Sequence, residues 1–64
     1  MSNSTRKIYD HLITYGPLTI DTVAYDLDMH DMTAFHVMFR MYERGLIRGS
    51  CTEGYTVSYG DDDD

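Results

Sequence analysis

Apolar residues recur at spacings of three and four along most of the chain and switch to simple alternation near its end. Between Met29 and Ile47 (MHDMTAFHVMFRMYERGLI), Ala34, Val37, Met38 and Met41 fall on one helical face, and Gly45 stands where a helix would stop. This predicts a helix from about Asp31 to Arg44, around which the rest of the core is organised. Upstream, Ile8, Leu12 and Ile13 share a face flanked by Tyr9 and Tyr15, which predicts a first helix from about Ser4 to Tyr15, ended by Gly16-Pro17. Leu18-Thr19-Ile20 has room only for a strand stub or a turn. Thr19 is the expected N-cap of a second helix, with Ile20, Val23, Ala24 and Leu27 facing inward and its end near Asp28. So short a link to the next helix implies that the two cross steeply. Leu46 to Ser50 and Tyr55 to Tyr59 read as strands, since Tyr55, Val57 and Tyr59 alternate with Thr56 and Ser58. Cys51 to Gly54 is the hairpin tip, where Gly49 and Gly54 supply the freedom that a turn or bulge needs.

This order of helix, stub, helix, helix and hairpin resembles the winged helix-turn-helix family over residues 5 to 59. The likeness is carried by PLTIDTVAYDLDM for the second helix and turn, by the third helix, and by the RGLI step into the hairpin. Apolar residues at Leu18, Ile20, Val23, Leu27, Met29, Ala34, Met38, Met41 and Leu46 fall where that family has its core. The resemblance implies an α+β fold, three helices with a C-terminal two- or three-stranded β-hairpin wing, of the small stand-alone archaeal or phage and mobile-element type. Residues 1 to 4 are expected to be a mobile tail, and residues 60 to 64 an acidic, solvated one.

With Ala34 set inward, two strips of the third helix face outward. Thr33, His36, Arg40 and Arg44 form one, and Met32, Phe35 and Phe39, with Tyr42 at the edge, form the other. By resemblance, Thr33, His36 and Arg40 are candidate contacts in the major groove of duplex DNA, and Arg44 and Arg48 extend phosphate contact toward the wing. Asp31 at the head of the helix and Glu53 at the wing tip oppose that role. The apolar strip makes the helix hydrophobic over much of its circumference, which implies a second subunit or a target protein. The competing expectation is that the core face is rotated by some 40° and Phe35 packs inside with Tyr55 or Tyr59. The function that the resemblance implies is a dimer that regulates transcription by binding DNA. The alternative is an acidic protein-interaction module that docks a partner, such as transcription or replication machinery, through Met32, Phe35 and Phe39.

Composition narrows the choice. Sixty-four residues make one domain, and a domain of this size buries only about 60% of its unfolded surface, so association would help it. The net charge is −6, and Asp61 to Asp64 are four of the eleven acids; setting them aside leaves seven acids against five bases, a net of −2. A weakly acidic body argues against strong sequence-independent nucleic-acid binding, which comes from neutralising phosphates. Nine Asp, two Glu and one Lys also fit a high-salt setting. No apolar run reaches the ~20 residues of a membrane span, and the single Cys51 has no internal disulfide partner, so a cytoplasmic protein is expected.

Chemistry is not expected. Asp26, Asp28, His30 and Asp31 fail as a calcium loop, because Asp31 replaces the required Gly and Val37 the bidentate Glu. His30, His36 and Cys51 lack zinc-ligand spacing. Cys51 has no base placed beside it by sequence, and no Gly-rich phosphate loop is present. No catalytic residue, metal, cofactor or small-molecule substrate is assigned.

Overall fold

A computed structural model describes residues 3 to 58. Three helices, α1 (Asn3–Tyr15), α2 (Ile20–Asp26) and α3 (Asp31–Glu43), precede an antiparallel hairpin of β1 (Ile47–Ser50) and β2 (Gly54–Val57). The molecule is thus α+β and compatible with the winged-helix arrangement. Tyr59 and residues 60 to 64 lie outside the described residues, so the strand and tail expected there do too.

α1 starts at Asn3, inside the stretch expected to be a tail. Its buried side chains are Ile8 and Leu12, one turn apart. Ile13, expected inward, is half exposed, because it lies 100° round the helix from Leu12. The helix stops where the Gly16 N–H bonds the Leu12 carbonyl at 2.9 Å and Pro17 offers no donor.

The stub after it is a single strand position. Leu18 and Tyr55 exchange both backbone hydrogen bonds, at 3.1 and 2.7 Å, so Leu18 lies beside β2 on the edge opposite β1. Thr19 sits at the N-cap of α2 with extended backbone, but its hydroxyl does not cap the helix; it lies 3.0 Å from that of Thr22.

α2 and α3 end in the same way. Asp28, at φ +56°, donates to the Tyr25 carbonyl, and Met29 donates to that of Ala24. Gly45, at φ +77°, donates to the Tyr42 carbonyl, and Leu46 donates to that of Met41. This crossed pair of bonds closes a helix around one left-handed residue. Glycine takes that conformation freely, whereas Asp28 takes it against a modest steric cost. The connection to α3 is the four residues Leu27 to His30, the first two of which make this closing turn. His30, not Asp31, is the N-cap of α3, its Nδ1 accepting from the Met32 N–H at 3.3 Å. Asp31 is the first helical residue, where its charge complements the helix dipole.

The core forms where all elements meet: Ile8 and Leu12 from α1, Val23 from α2, Met38 and Met41 from α3, Ile47 from β1 and Val57 from β2. Ala34 is also fully buried, as the helical spacing predicts. In the hairpin, Ile47 faces Val57 and Ser50 faces Gly54, so β2 begins one residue earlier than expected. The Ser50 hydroxyl accepts from the Glu53 N–H at 3.1 Å across the tip. Gly49 has φ +133°, and a Cβ there would stand 2.1 Å from the Gly54 carbonyl oxygen, so the strands approach only because that position has no side chain.

Candidate nucleic-acid and protein interface on the third helix

Burying Ala34, Met38 and Met41 fixes the rotation of α3 and turns the opposite half of its surface outward. The two expected strips are both there, each beside a different neighbour.

His36, Arg40 and Arg44, spaced four apart, share one side of the helix. They line an open cleft of about 440 Å³ together with Thr5 of α1, the partly covered Val37 and Leu46, and the buried Met41 at its floor. The side chains of Arg40, Arg44 and His36 are exposed and take part in no ion pair among the described residues. Thr33 is exposed one turn toward the N-terminus of α3. Arg48 is exposed on β1 opposite Thr56 and is not part of this cleft, so the five expected DNA contacts do not form one cluster. Arg6 and Lys7 follow Thr5 near the start of α1 and are both exposed, but neither lines the cleft. Nor does Arg6 pair with Asp10, as i,i+4 spacing would allow.

The apolar strip faces the hairpin instead. Met32, Phe35, Phe39 and Tyr42 are 61%, 46%, 48% and 49% exposed. Phe35 is therefore not inside the core, and the rotated-face expectation is overturned. Its ring stacks on that of Phe39, with centroids 5.8 Å apart and planes 16° from parallel. Tyr42 meets Tyr55 of β2 edge to face at 6.0 Å. Phe35, Phe39 and Tyr42 form one wall of a groove whose other side is Ile20, Tyr55 and the Gly49 to Cys51 turn. That second wall was not foreseeable from α3, because it depends on how the hairpin folds back.

Charge is divided along the helix. The N-terminal end of α3 carries Asp31, which with Asp21, Met32, Phe35 and Cys51 borders a shallow depression. Arginines occupy the C-terminal half, and Glu43 stands among His36, Arg40, Arg44 and the two Phe where the strips adjoin. Elsewhere His11 Nε2 and Asp26 Oδ2, 2.9 Å apart, join α1 to α2. Among the described residues, no group of three His, Cys, Asp or Glu side chains is placed to hold a metal ion. Among the described residues, no helix is long and apolar enough to cross a membrane. The chain matches no family model, no curated protein and no solved structure.

Proposed function

We propose that the protein is a small winged-helix DNA-binding regulator in which α3 meets the duplex. The observation that carries this reading is the set of exposed His36, Arg40 and Arg44, in no ion pair among the described residues, on one side of α3 beside the first turn of α1. Guanidinium groups at this spacing suit phosphate oxygens along a duplex backbone or guanine edges in the major groove. The fold reading is supported by the order of the elements, by the short α2 to α3 turn, and by Leu18 adding a third position to the hairpin sheet. Asp31 and Asp21 repel phosphate at the N-terminal end of α3, so the duplex is met by its C-terminal half, with Thr33 at the margin.

The test is fluorescence anisotropy with a mixed-sequence duplex at about 20 and 200 mM salt, a range over which several phosphate contacts weaken binding steeply. Binding at low salt that is lost at high salt is the expected result. No binding at the lower salt overturns the reading.

One observation favours a second reading, a protein-interaction module. The four exposed apolar side chains of α3 present on the order of 400 Å², the size of the largest patch on an ordinary monomer, which is often functional. On this reading Met32, Phe35 and Phe39 contact a partner or a second copy. Light scattering on the wild type and on Phe39→Asp tests it: a dimer that the substitution dissolves supports it, and a monomer that the substitution unfolds shows the strip to be core.

A further inference from the structure

We propose that His11, Tyr15, Tyr25 and Asp26 form a binding site for a methylated ammonium cation, a trimethylammonium group carried by a small solute or by a protein side chain. These residues, two from α1 and two from the end of α2, line an open hollow of about 510 Å³. The hollow shares no residue with the basic cleft or with the apolar groove. The proposal is therefore independent of both readings of α3.

The first observation is a carboxylate held in place. His11 Nε2 and Asp26 Oδ2 are 2.9 Å apart, and because a carboxylate only accepts, the ring nitrogen is the donor. The His11 side chain is largely covered, whereas that of Asp26 stays partly open. No other hydrogen bond to the Asp26 carboxylate is formed among the described residues. No Lys or Arg lines the hollow to neutralise it.

The second observation is aromatic surface around that carboxylate. The rings of His11 and Tyr15 have centroids 4.9 Å apart and planes tilted by 54°. Tyr25, on the other helix, is 87% exposed, the most of any large apolar side chain among the described residues. A lone exposed tyrosine is ordinary. Here two tyrosines from different helices border one hollow with an acid, and the negative ring faces and the carboxylate attract the same charge.

The same groups select among cations. A plain ammonium is strongly hydrated and needs several acceptors in place of its water, whereas the hollow offers one carboxylate, already shared with His11. A guanidinium prefers both oxygens of a carboxylate, and Oδ2 is engaged. A trimethylammonium group donates no hydrogen bond. It can lay its methyl groups on the rings while its charge faces Asp26.

The experiment is an NMR titration of the full chain, at constant ionic strength, with choline and with its uncharged isostere dimethylbutanol, in which a tert-butyl group replaces the trimethylammonium. Backbone amides and tyrosine ring signals are followed. Choline should give saturable shifts centred on His11, Tyr15, Tyr25 and Asp26 at roughly millimolar concentration, and the isostere should bind about tenfold more weakly. Tyr25→Leu, at a position too exposed to carry the core, should weaken choline binding about fivefold, and Tyr25→Phe should preserve it. Absent shifts, equal shifts with both compounds, shifts spread over the whole chain, or unchanged choline binding in Tyr25→Leu overturn the proposal. A short peptide carrying trimethyllysine separates the two sources of the group. Tighter binding than choline at the same residues assigns a protein side chain, and equal or weaker binding assigns a small solute.

Discussion

His36, Arg40 and Arg44 share a helix with Met32, Phe35 and Phe39, yet the two groups have different surroundings. The basic strip borders the first turn of α1, where it shares an open cleft with Thr5 and with Val37, Met41 and Leu46. The apolar strip borders the hairpin, and the Tyr42–Tyr55 contact and the Gly49 to Cys51 turn cover part of each ring. The basic strip is therefore a charged, open surface of the kind that suits an anionic ligand. The apolar strip is half way to being core and lacks only a covering layer. One helix thus carries two distinct interaction chemistries, separated by the acid Glu43.

The widest separation is expected between neighbouring residues on the inner and outer faces. Met38→Ala should cost about 3 kcal/mol, because it opens a cavity at the centre of the core. Phe39→Asp should cost within about 1 kcal/mol. Urea unfolding of both variants measures this, and equal losses would mean that the apolar strip is part of the core after all. Gly49→Ala comes next, at roughly 2 kcal/mol, since a side chain there collides with the Gly54 carbonyl at an unfavourable positive φ. It should disturb only the hairpin side of α3, so duplex affinity per folded molecule stays within twofold when titrated well below the melting temperature.

Much of this was legible in the pattern of the chain. Ala34, Met38 and Met41 were assigned inward by spacing alone, and both outward strips followed from them. Spacing says little about neighbours from other elements. Ile13 and Leu12 look alike in the pattern, and only the packing of α1 decides which is buried. The N-cap at His30 has no signal in the chain, because histidine is not among the residues that usually cap a helix. The Leu18–Tyr55 bridge pairs residues 37 apart in the chain, and no local signal marks such a partner. The separation of Arg48 from the other arginines also follows from the hairpin, through its place opposite Thr56.

Two smaller effects sharpen the contrast. Asp28→Gly relieves a left-handed residue at the end of α2, and should raise the melting temperature by about 5 °C without changing either strip's binding. Calorimetry together with a duplex titration would separate stability from surface chemistry. Asp31→Asn should lower the melting temperature by about 2 °C, because it removes a charge that complements the helix dipole. The same substitution should raise duplex affinity about twofold at low salt, because a carboxylate near the phosphates is lost.

The most direct measurement is the salt dependence of duplex affinity for the wild type and for Arg40→Ala/Arg44→Ala. If the basic strip contacts phosphates, the wild type binds with a steep slope of log affinity against log salt. The double variant should then bind more weakly, with a slope shallower by about two, one for each contact removed. An unchanged slope and affinity in the double variant would contradict the assignment of DNA contact to this strip of α3.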